Sequence, residues 1–324
     1  MKTFRKIKSR WLDDAGQKHV SRIHEIISQG GDIPATISPF PEVDNLIDLR
    51  GFPFKFAFNI KSCKFKNTDL SYCSLENGWI EKSHFINIRF DDAILENLSD
   101  HGNSFEQVSF ARSILTGSVL GYNGSKYIKC KYYRALLIGA GSIRAEFNYC
   151  IFDHCIIKGV DFNATSFENC KFIGKVVDVW FHGGFPREPL GYKWAYGFPT
   201  REEKYGKPRK NRMLNVDFSE AELWDLTLSD GCDLSTIILP KKGNYRLYSH
   251  WRKRLIGLWL ASLKWPRKEG SETRWFCKHL LGYHQDWYLI NIEKDHSGVN
   301  LELFNKIIDF LDRYQGLPFK YIFK

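Results

Sequence analysis

Every fifth residue from Phe65 to Leu120 but one is large and apolar: Phe65, Leu70, Leu75, Ile80, Phe85, Phe90 and Leu95, then the exception Asp100, then Phe105, Phe110, Leu115 and Leu120. After a Tyr- and Lys-rich stretch in which the period degenerates, it returns in a new phase as Phe147, Phe152, Ile157, Phe162, Phe167, Phe172 and Val177. It appears a third time as Phe218, Leu223 and Leu228, followed after one slipped residue by Leu234 and Leu239. A period of five suits neither a helix at about 3.6 residues per turn nor a strand at about 2, so the chain must turn a corner at each repeat. A small residue stands two places before most of the large ones, as at Cys63, Thr68, Cys73, Gly78, Ser83, Ala93, Ser113, Ser118, Ala145, Cys150, Cys155, Thr165, Cys170, Ala221 and Cys232. Large and small residues thus form two inward layers.

The segments CKFKNTDLSYCSLENGWI, DFNATSFENCKF and VDFSEAELWDLTL resemble the pentapeptide-repeat family, whose repeat is similar to A(D/N)LXX. The resemblance implies a mainly β protein built on a right-handed quadrilateral β-helix, with four repeats per coil and the large and small positions inward. It covers residues 54–177 and 216–240, and at about 20 residues per coil and about 4.8 Å between coils it implies about seven coils in a rod on the order of 35 Å long. Six of the eight cysteines (Cys63, Cys73, Cys150, Cys155, Cys170 and Cys232) occupy the small inward position, where a free thiol serves as a small hydrophobe. Stacking of Cys150 on Cys170 one coil away leaves their Cβ atoms about a strand spacing apart, outside disulfide range. Reduced thiols are expected.

Around the repeats the chain divides into four further parts. Residues 1–53 form an N-terminal helical cap, with Leu12, Ala15, Val20, Ile23, Ile26 and Ile27 along one face and Gly30–Gly31 as its stop. Such a cap protects the open end of a coil from edge-to-edge pairing. Residues 178–215 are a long inserted loop with eight basic and four acidic residues and five interleaved Trp and Tyr. The terminal repeats, 216–240, hold six carboxylates and no Lys or Arg. Residues 241–324 abandon the period for a C-terminal α-helical region, with helices near 247–263, 271–281 and 299–313 and 16 basic against 8 acidic residues.

The net charge of +10 therefore resides mainly in the loop and the C-terminal region. Trp180, Arg187, Tyr192, Trp194, Tyr196, Arg201, Arg209, Lys210 and Arg212 of the loop combine aromatic and cationic groups suited to stacking on bases or to anchoring a protein partner. Arg252, Lys253 and Arg254 stand beside Leu255, Ile256, Leu258, Trp259 and Leu260, a basic amphipathic segment that suits an anionic membrane, a phosphate groove or the end of the rod. Leu255–Leu263 is about half the ~20 residues of a membrane span, and no signal-peptide core follows the basic N-terminus, so a cytoplasmic location is expected.

Motifs naming a cofactor or nucleophile are absent: the chain contains no GxGxxG, P-loop, HExxH or GxSxG. No cofactor, metal or catalytic residue is therefore expected. His182-Gly183-Gly184 reads as a turn, the spacing of His250, Cys277, His279 and His284 matches no standard zinc site, and the repeat phase turns His154 away from Cys150 and Cys155. These features favour a non-enzymatic scaffold that binds a protein partner through the loop and C-terminal helices. The family resemblance adds a DNA mimic that occupies a type II topoisomerase such as gyrase, although residues 54–177, with 15 basic and 12 acidic residues, lack the acidic character of such mimics. A nucleic-acid-binding component of a defence or repair assembly is the third reading, and a homodimer through the aromatic C-terminal region (Trp259, Trp265, Trp275, Trp287) is compatible with each.

Overall fold

A computed structural model describes residues 2–185, 200–207, 209–295 and 298–314. The period of five becomes a four-sided β-solenoid of about seven turns, with parallel strands in adjacent coils pairing face by face. Phe65 pairs with Phe85, and Phe85 with Phe105, an advance of 20 residues that equals four repeats. The corners are turned by residues in the left-handed region, two places after the large residue: Asn67, Tyr72, Asn77, Lys82, Asn87, Asp92 and Asn97 all have φ between 46° and 63°. Asn tolerates this conformation better than most residues, and its recurrence here lets side chains bond from coil to coil, Asn87 donating to Asn67 at 2.9 Å.

Inside, aromatic rings stack along two of the four faces at nearly the strand spacing. On the second face Phe65, Phe85, Phe105, Tyr127, Phe147 and Phe167 have successive ring centroids 5.2, 4.9, 4.9, 4.6 and 5.1 Å apart. The third face carries Phe90, Phe110, Tyr132, Phe152, Phe172 and Phe218 in the same way. The Tyr- and Lys-rich stretch is not degenerate. Phe105 pairs with Tyr127 and Tyr127 with Phe147, so one coil advances by 22 residues and the next by 20. Two residues inserted at the corner 121–124 rephase the repeat, and Tyr127, Tyr132 and Leu137 continue the inward ladder.

Asp100, the one polar residue in the first run, takes its place in the inward ladder of the first face and is fully buried. Its carboxylate accepts from Ser125 Oγ at 2.7 Å, from the Gly121 amide at 2.8 Å, and from Tyr127 Oη and Asn103 Nδ2. The inserted corner is thus held by the residue that breaks the hydrophobic period.

Two helices, α1 (Lys2–Ser9) and α2 (Asp14–Gln29), close the N-terminal end. Asp13 caps α2 by accepting from the Gly16 amide at 2.7 Å, which starts the helix later than the apolar pattern suggests. Val20, Ile23 and Ile27 are buried and Ile26 packs at the rim, but Leu12 is 67% exposed and Ala15 also faces solvent. The first coil is fastened to the turn between α1 and α2 through Asp48, which accepts a bidentate pair of bonds from Arg10, both 2.7 Å, and a further pair from Arg50. Those bonds outweigh the opposing effect of burial and hold the Asp48 carboxyl well below the usual carboxylate range.

At the other end a two-stranded antiparallel sheet of Tyr245–Tyr248 with Tyr288–Asn291 lies against the last coil. Alternation along its second strand sends Leu289 into the solenoid core and Ile290 into a separate helical core. The helices are α4 (Trp251–Ser262), α5 (Arg267–Leu281) and α6 (Leu301–Arg313); α3 is a short turn of helix at Arg201–Tyr205 in the inserted segment. The open edge is sealed by side chains. Tyr245 Oη accepts from the Leu223 amide at 2.9 Å, Asn291 donates to the Leu223 carbonyl at 3.0 Å, and Gln285 takes both the amide and the carbonyl of Cys232. Backbone groups that would template another strand are thereby satisfied.

Candidate functional site

The inserted segment leaves the solenoid after the strand Lys171–His182, which runs past the last apolar residue of the second phase and keeps Val179 and Phe181 inward. Trp180 consequently lies on that strand, 49% exposed on the first face between Asp161 and Thr227 of the adjacent coils. The two ends of the segment meet where the Asn211 amide donates to the Gly183 carbonyl at 3.0 Å. Arg187, Tyr192, Trp194 and Tyr196 lie outside the described residues, and the side chain of Arg201, the first residue of α3, does too.

The returning limb is tied down by its own cations. Arg209 bonds Glu168 at 2.6 Å and Glu146 at 3.4 Å, and Arg212 approaches Glu168 at 3.5 Å. Lys210 is exposed. The carboxylates of 216–240 pair elsewhere: Lys171 meets Glu220 at 2.6 Å and Asp217 at 3.7 Å, while Lys294, just after the strand Tyr288–Asn291, bonds Glu222 and sits 3.9 Å from the Trp224 ring centre. Much of the acidic character of the terminal repeats is therefore neutralised at the surface of the protein itself.

At the root of the segment His182 is buried among Ser229 Oγ, 2.5 Å from Nδ1, Asp230, 3.4 Å from Nδ1, and Asp161, 3.2 Å from Nε2. Sequence reasoning missed this cluster, because its members come from three coils. The arrangement contains a hydroxyl, an imidazole and a carboxylate, yet it does not make an activated nucleophile. Burial favours the neutral ring, but Asp161 and Asp230 outweigh it and raise the His182 pKa to about 9. A ring protonated at neutral pH has no lone pair to take a proton from Ser229. The Ser229 hydroxyl itself donates to Asp230 at 2.6 Å and is buried. The cluster is a charged clasp that holds the root of the insertion to the coils on either side.

The eight cysteines are all reduced and buried. Cys130, hidden from sequence reasoning by the rephased coil, occupies the same small inward position before Tyr132. Burial pushes up the thiols of Cys63, to about 11, and of Cys155 and Cys277, to about 12. Cys277 lies in the helical core, whereas His279 stacks on Trp275 and His154 turns outward to Asp153 at 2.5 Å. Among the described residues no group of three or more His, Cys, Asp or Glu is arranged to hold a metal ion.

In the C-terminal module the three candidate cations separate. Arg254 donates to the carbonyls of Ser249, Leu311 and Tyr314 at 2.9, 2.7 and 3.0 Å, which ties α4 to the C-terminus of α6. Arg252 and Lys253 face solvent. Between them and Lys264, also exposed, run Ile256 (45% exposed), Leu260 (37%) and Leu263 (61%), while Leu255 and Leu258 fill the core on the opposite side. Helical spacing sets the three apolar residues side by side with cations on both edges, and α4 contains no carboxylate. Trp259 and Trp265 pack on the helical core, Trp287 packs on the solenoid, and Trp275 is exposed. No helix among the described residues is long and apolar enough to cross a membrane.

The five-residue repeat, the two inward layers and the four-sided coil define a fold class: the chain has the fold of a pentapeptide-repeat β-solenoid. No family model matches the sequence and no curated protein is similar to it. Among solved structures, a trypsin-treated variant of QnrB1, a plasmid-mediated fluoroquinolone resistance protein, is 12% identical with a TM-score of 0.30, over 60% of this chain and 88% of that one. HetL, a pentapeptide repeat protein involved in heterocyst differentiation regulation in the cyanobacterium Nostoc sp., is 16% identical with a TM-score of 0.18, over 57% of this chain and 86% of that one. These likenesses carry no statement of role, which rests on the site.

Proposed function

We propose that the protein is a non-enzymatic scaffold that binds a protein partner through its inserted segment and its C-terminal helices. The observation that carries the reading is the solvent-facing side of α4, where Ile256, Leu260 and Leu263 are exposed between Arg252 on one edge and Lys253 and Lys264 on the other. An apolar stripe edged only by cations fits an acidic amphipathic segment, the apolar contact giving affinity and the charges steering encounter. The solenoid supplies rigidity, because every coil is bonded to its neighbours and both ends are closed. The eight buried thiols support a reducing compartment, the cytoplasm.

Topoisomerase binding by imitation of DNA is the second reading within this class. It is disfavoured by Lys171 and Lys294, which neutralise the surface that would imitate phosphate. Direct nucleic-acid binding is the third, with the cations of the inserted segment and the C-terminal helices contacting phosphate.

Isolation of the tagged protein from nuclease-treated native extract tests the reading. The intact chain is compared with a version lacking residues 185–212 and with the pair Ile256→Asp, Leu260→Asp. A protein retained after nuclease and lost from either variant supports it. A topoisomerase retained by both variants moves mimicry ahead, and loss of all bound material on nuclease treatment replaces the scaffold with nucleic-acid binding, for which affinity falls steeply with salt.

A further inference from the structure

Where the described chain leaves α6 it lies against α4. Tyr314, the residue after α6, rests its ring on Gly257, where any Cβ would collide with it, and Arg254 donates to its carbonyl at 3.0 Å. Gly257 stands about 60° around the helix from Leu260, so the chain passes beside the exposed stripe of Ile256, Leu260 and Leu263. α6 arrives antiparallel to α4: Lys306 lies 4.3 Å from the Trp265 ring centre and 2.5 Å from Glu269, and about two turns later Tyr314 has reached Gly257. Continuing on that line would carry the chain away from Leu260 and Leu263. Gly316 and Pro318 follow, however, residue types that turn a chain after a helix end.

Residues 315–324 lie outside the described ones and read QGLPFKYIFK. Leu317, Phe319, Tyr321 and Phe323 take every second position, the pattern of an extended segment with one apolar side, and Lys320 and Lys324 fall on the other side. From Ile256 to Leu263 is seven residues of helical rise, about 10 Å, whereas ten extended residues span up to ~33 Å. The segment is long enough to turn and still run the length of the stripe.

We propose that residues 315–324 turn back and cover the α4 stripe of their own chain, Leu317, Phe319 and Tyr321 resting on Ile256, Leu260 and Leu263, so that a partner must displace them. The segment has no carboxylate to offer Arg252, Lys253 and Lys264. Aromatic rings already serve the cations of this module: Arg254 lies 5.4 and 5.8 Å from the ring centres of Tyr248 and Tyr314, and Lys306 sits over Trp265. Phe319, Tyr321 and Phe323 extend that pattern to the edges of the stripe, while the two lysines of the outer side point away from it. The tether at Tyr314 makes the contact intramolecular, which lets a modest apolar surface suffice. The regulatory role rests on the protein-partner reading of α4: an acidic amphipathic segment pairs with the three cations, which residues 315–324 do not, and so replaces them where a neutral segment does not.

Anilinonaphthalene sulfonate, an anionic dye that binds exposed apolar surface, tests the cover without any partner. The full chain is compared with a chain lacking residues 315–324 and with the full chain carrying Phe319→Ser, Tyr321→Ser, circular dichroism reporting the fold. Dye emission is expected to rise several-fold in both and to fall back to the native level when Ile256→Asp, Leu260→Asp is added, whereas a loosened fold would keep the excess. Equal emission from the native and shortened chains overturns the proposal, and so does a rise that survives Ile256→Asp, Leu260→Asp. The partner retained from nuclease-treated extract reads displacement separately. It is expected to bind the shortened chain about ten-fold more tightly, the gain when a cover that closes nine-tenths of the stripes is removed. Equal binding alongside the dye rise overturns the competition and, with it, the place of the partner on α4.

Discussion

The Asp100 carboxylate accepts the amide proton of Gly121 at 2.8 Å, across the one corner where the solenoid takes up two extra residues. The pairing explains an apparent defect: a charged residue in a hydrophobic ladder and an interrupted period are two halves of one feature. Replacing Asp100 with the Leu that the period favours leaves the donors at Gly121, Ser125, Tyr127 and Asn103 unpaired inside the core. Asp100→Leu is predicted to cost on the order of 3 kcal/mol and Asp100→Asn, which keeps an acceptor, about 1 kcal/mol. Denaturant unfolding of both variants measures the difference. Equal stability of Asp100→Leu and the native chain would remove the anchor role.

Gly121 is fixed by the same corner. Its φ is +78° and an added Cβ would lie 2.3 Å from the Ala145 Cβ. Gly121→Ala is predicted to lower stability by about 2–4 kcal/mol, whereas the same change at Gly141, where an added Cβ meets nothing within 4 Å, is predicted to be tolerated. Thermal unfolding of the two variants checks the contrast.

His182 makes stability depend on alkaline pH. Its folded pKa, about 9, is raised by Asp161 and Asp230 above the unfolded value of ~6.5, so its contribution is complete below the unfolded value and is lost as pH rises through the folded one. The native chain is predicted to lose ~3 kcal/mol between those limits. In His182→Gln that slope disappears. Chemical denaturation at a series of pH values distinguishes them, and an unchanged slope in the variant would remove the clasp.

Thiol chemistry provides a test of burial. Because all eight cysteines are reduced and enclosed, with Cys63, Cys155 and Cys277 pushed up to about 11 or 12, none is predicted to react with iodoacetamide in the folded protein at neutral pH. All eight label after denaturation. Mass spectrometry counts the adducts, and rapid labelling of any cysteine in the native state would place that residue outside the core.

Much of the solenoid was legible from spacing alone, because the inward positions of a corner-turning chain are set by sequence separation. Phe147, Phe152 and Cys150 lie where the period puts them. The coil through Tyr127 and Tyr132 was not legible, since the two extra residues matter only relative to the coils above and below. Leu12 and Ala15 fit a helical face by spacing, but the cap at Asp13 excludes the one from α2 and turns the other outward. The C-terminal seal escaped because Gln285, Tyr245 and Asn291 act on backbone groups of Cys232 and Leu223, which no side-chain pattern marks. A signal for the corners was present in the Asn recurring at 67, 77, 87 and 97. The basic cluster of α4 was visible, but only packing reveals that Arg254 is spent on the C-terminus of α6 while Arg252 and Lys253 are free of it.

Hydrogen exchange on the intact protein, alone and with the partner recovered from nuclease-treated extract, addresses the scaffold reading most directly. New protection is predicted in 251–264 and 185–212, with the aromatic coils unchanged. Protection confined to 216–240, or none in the C-terminal helices, would contradict it.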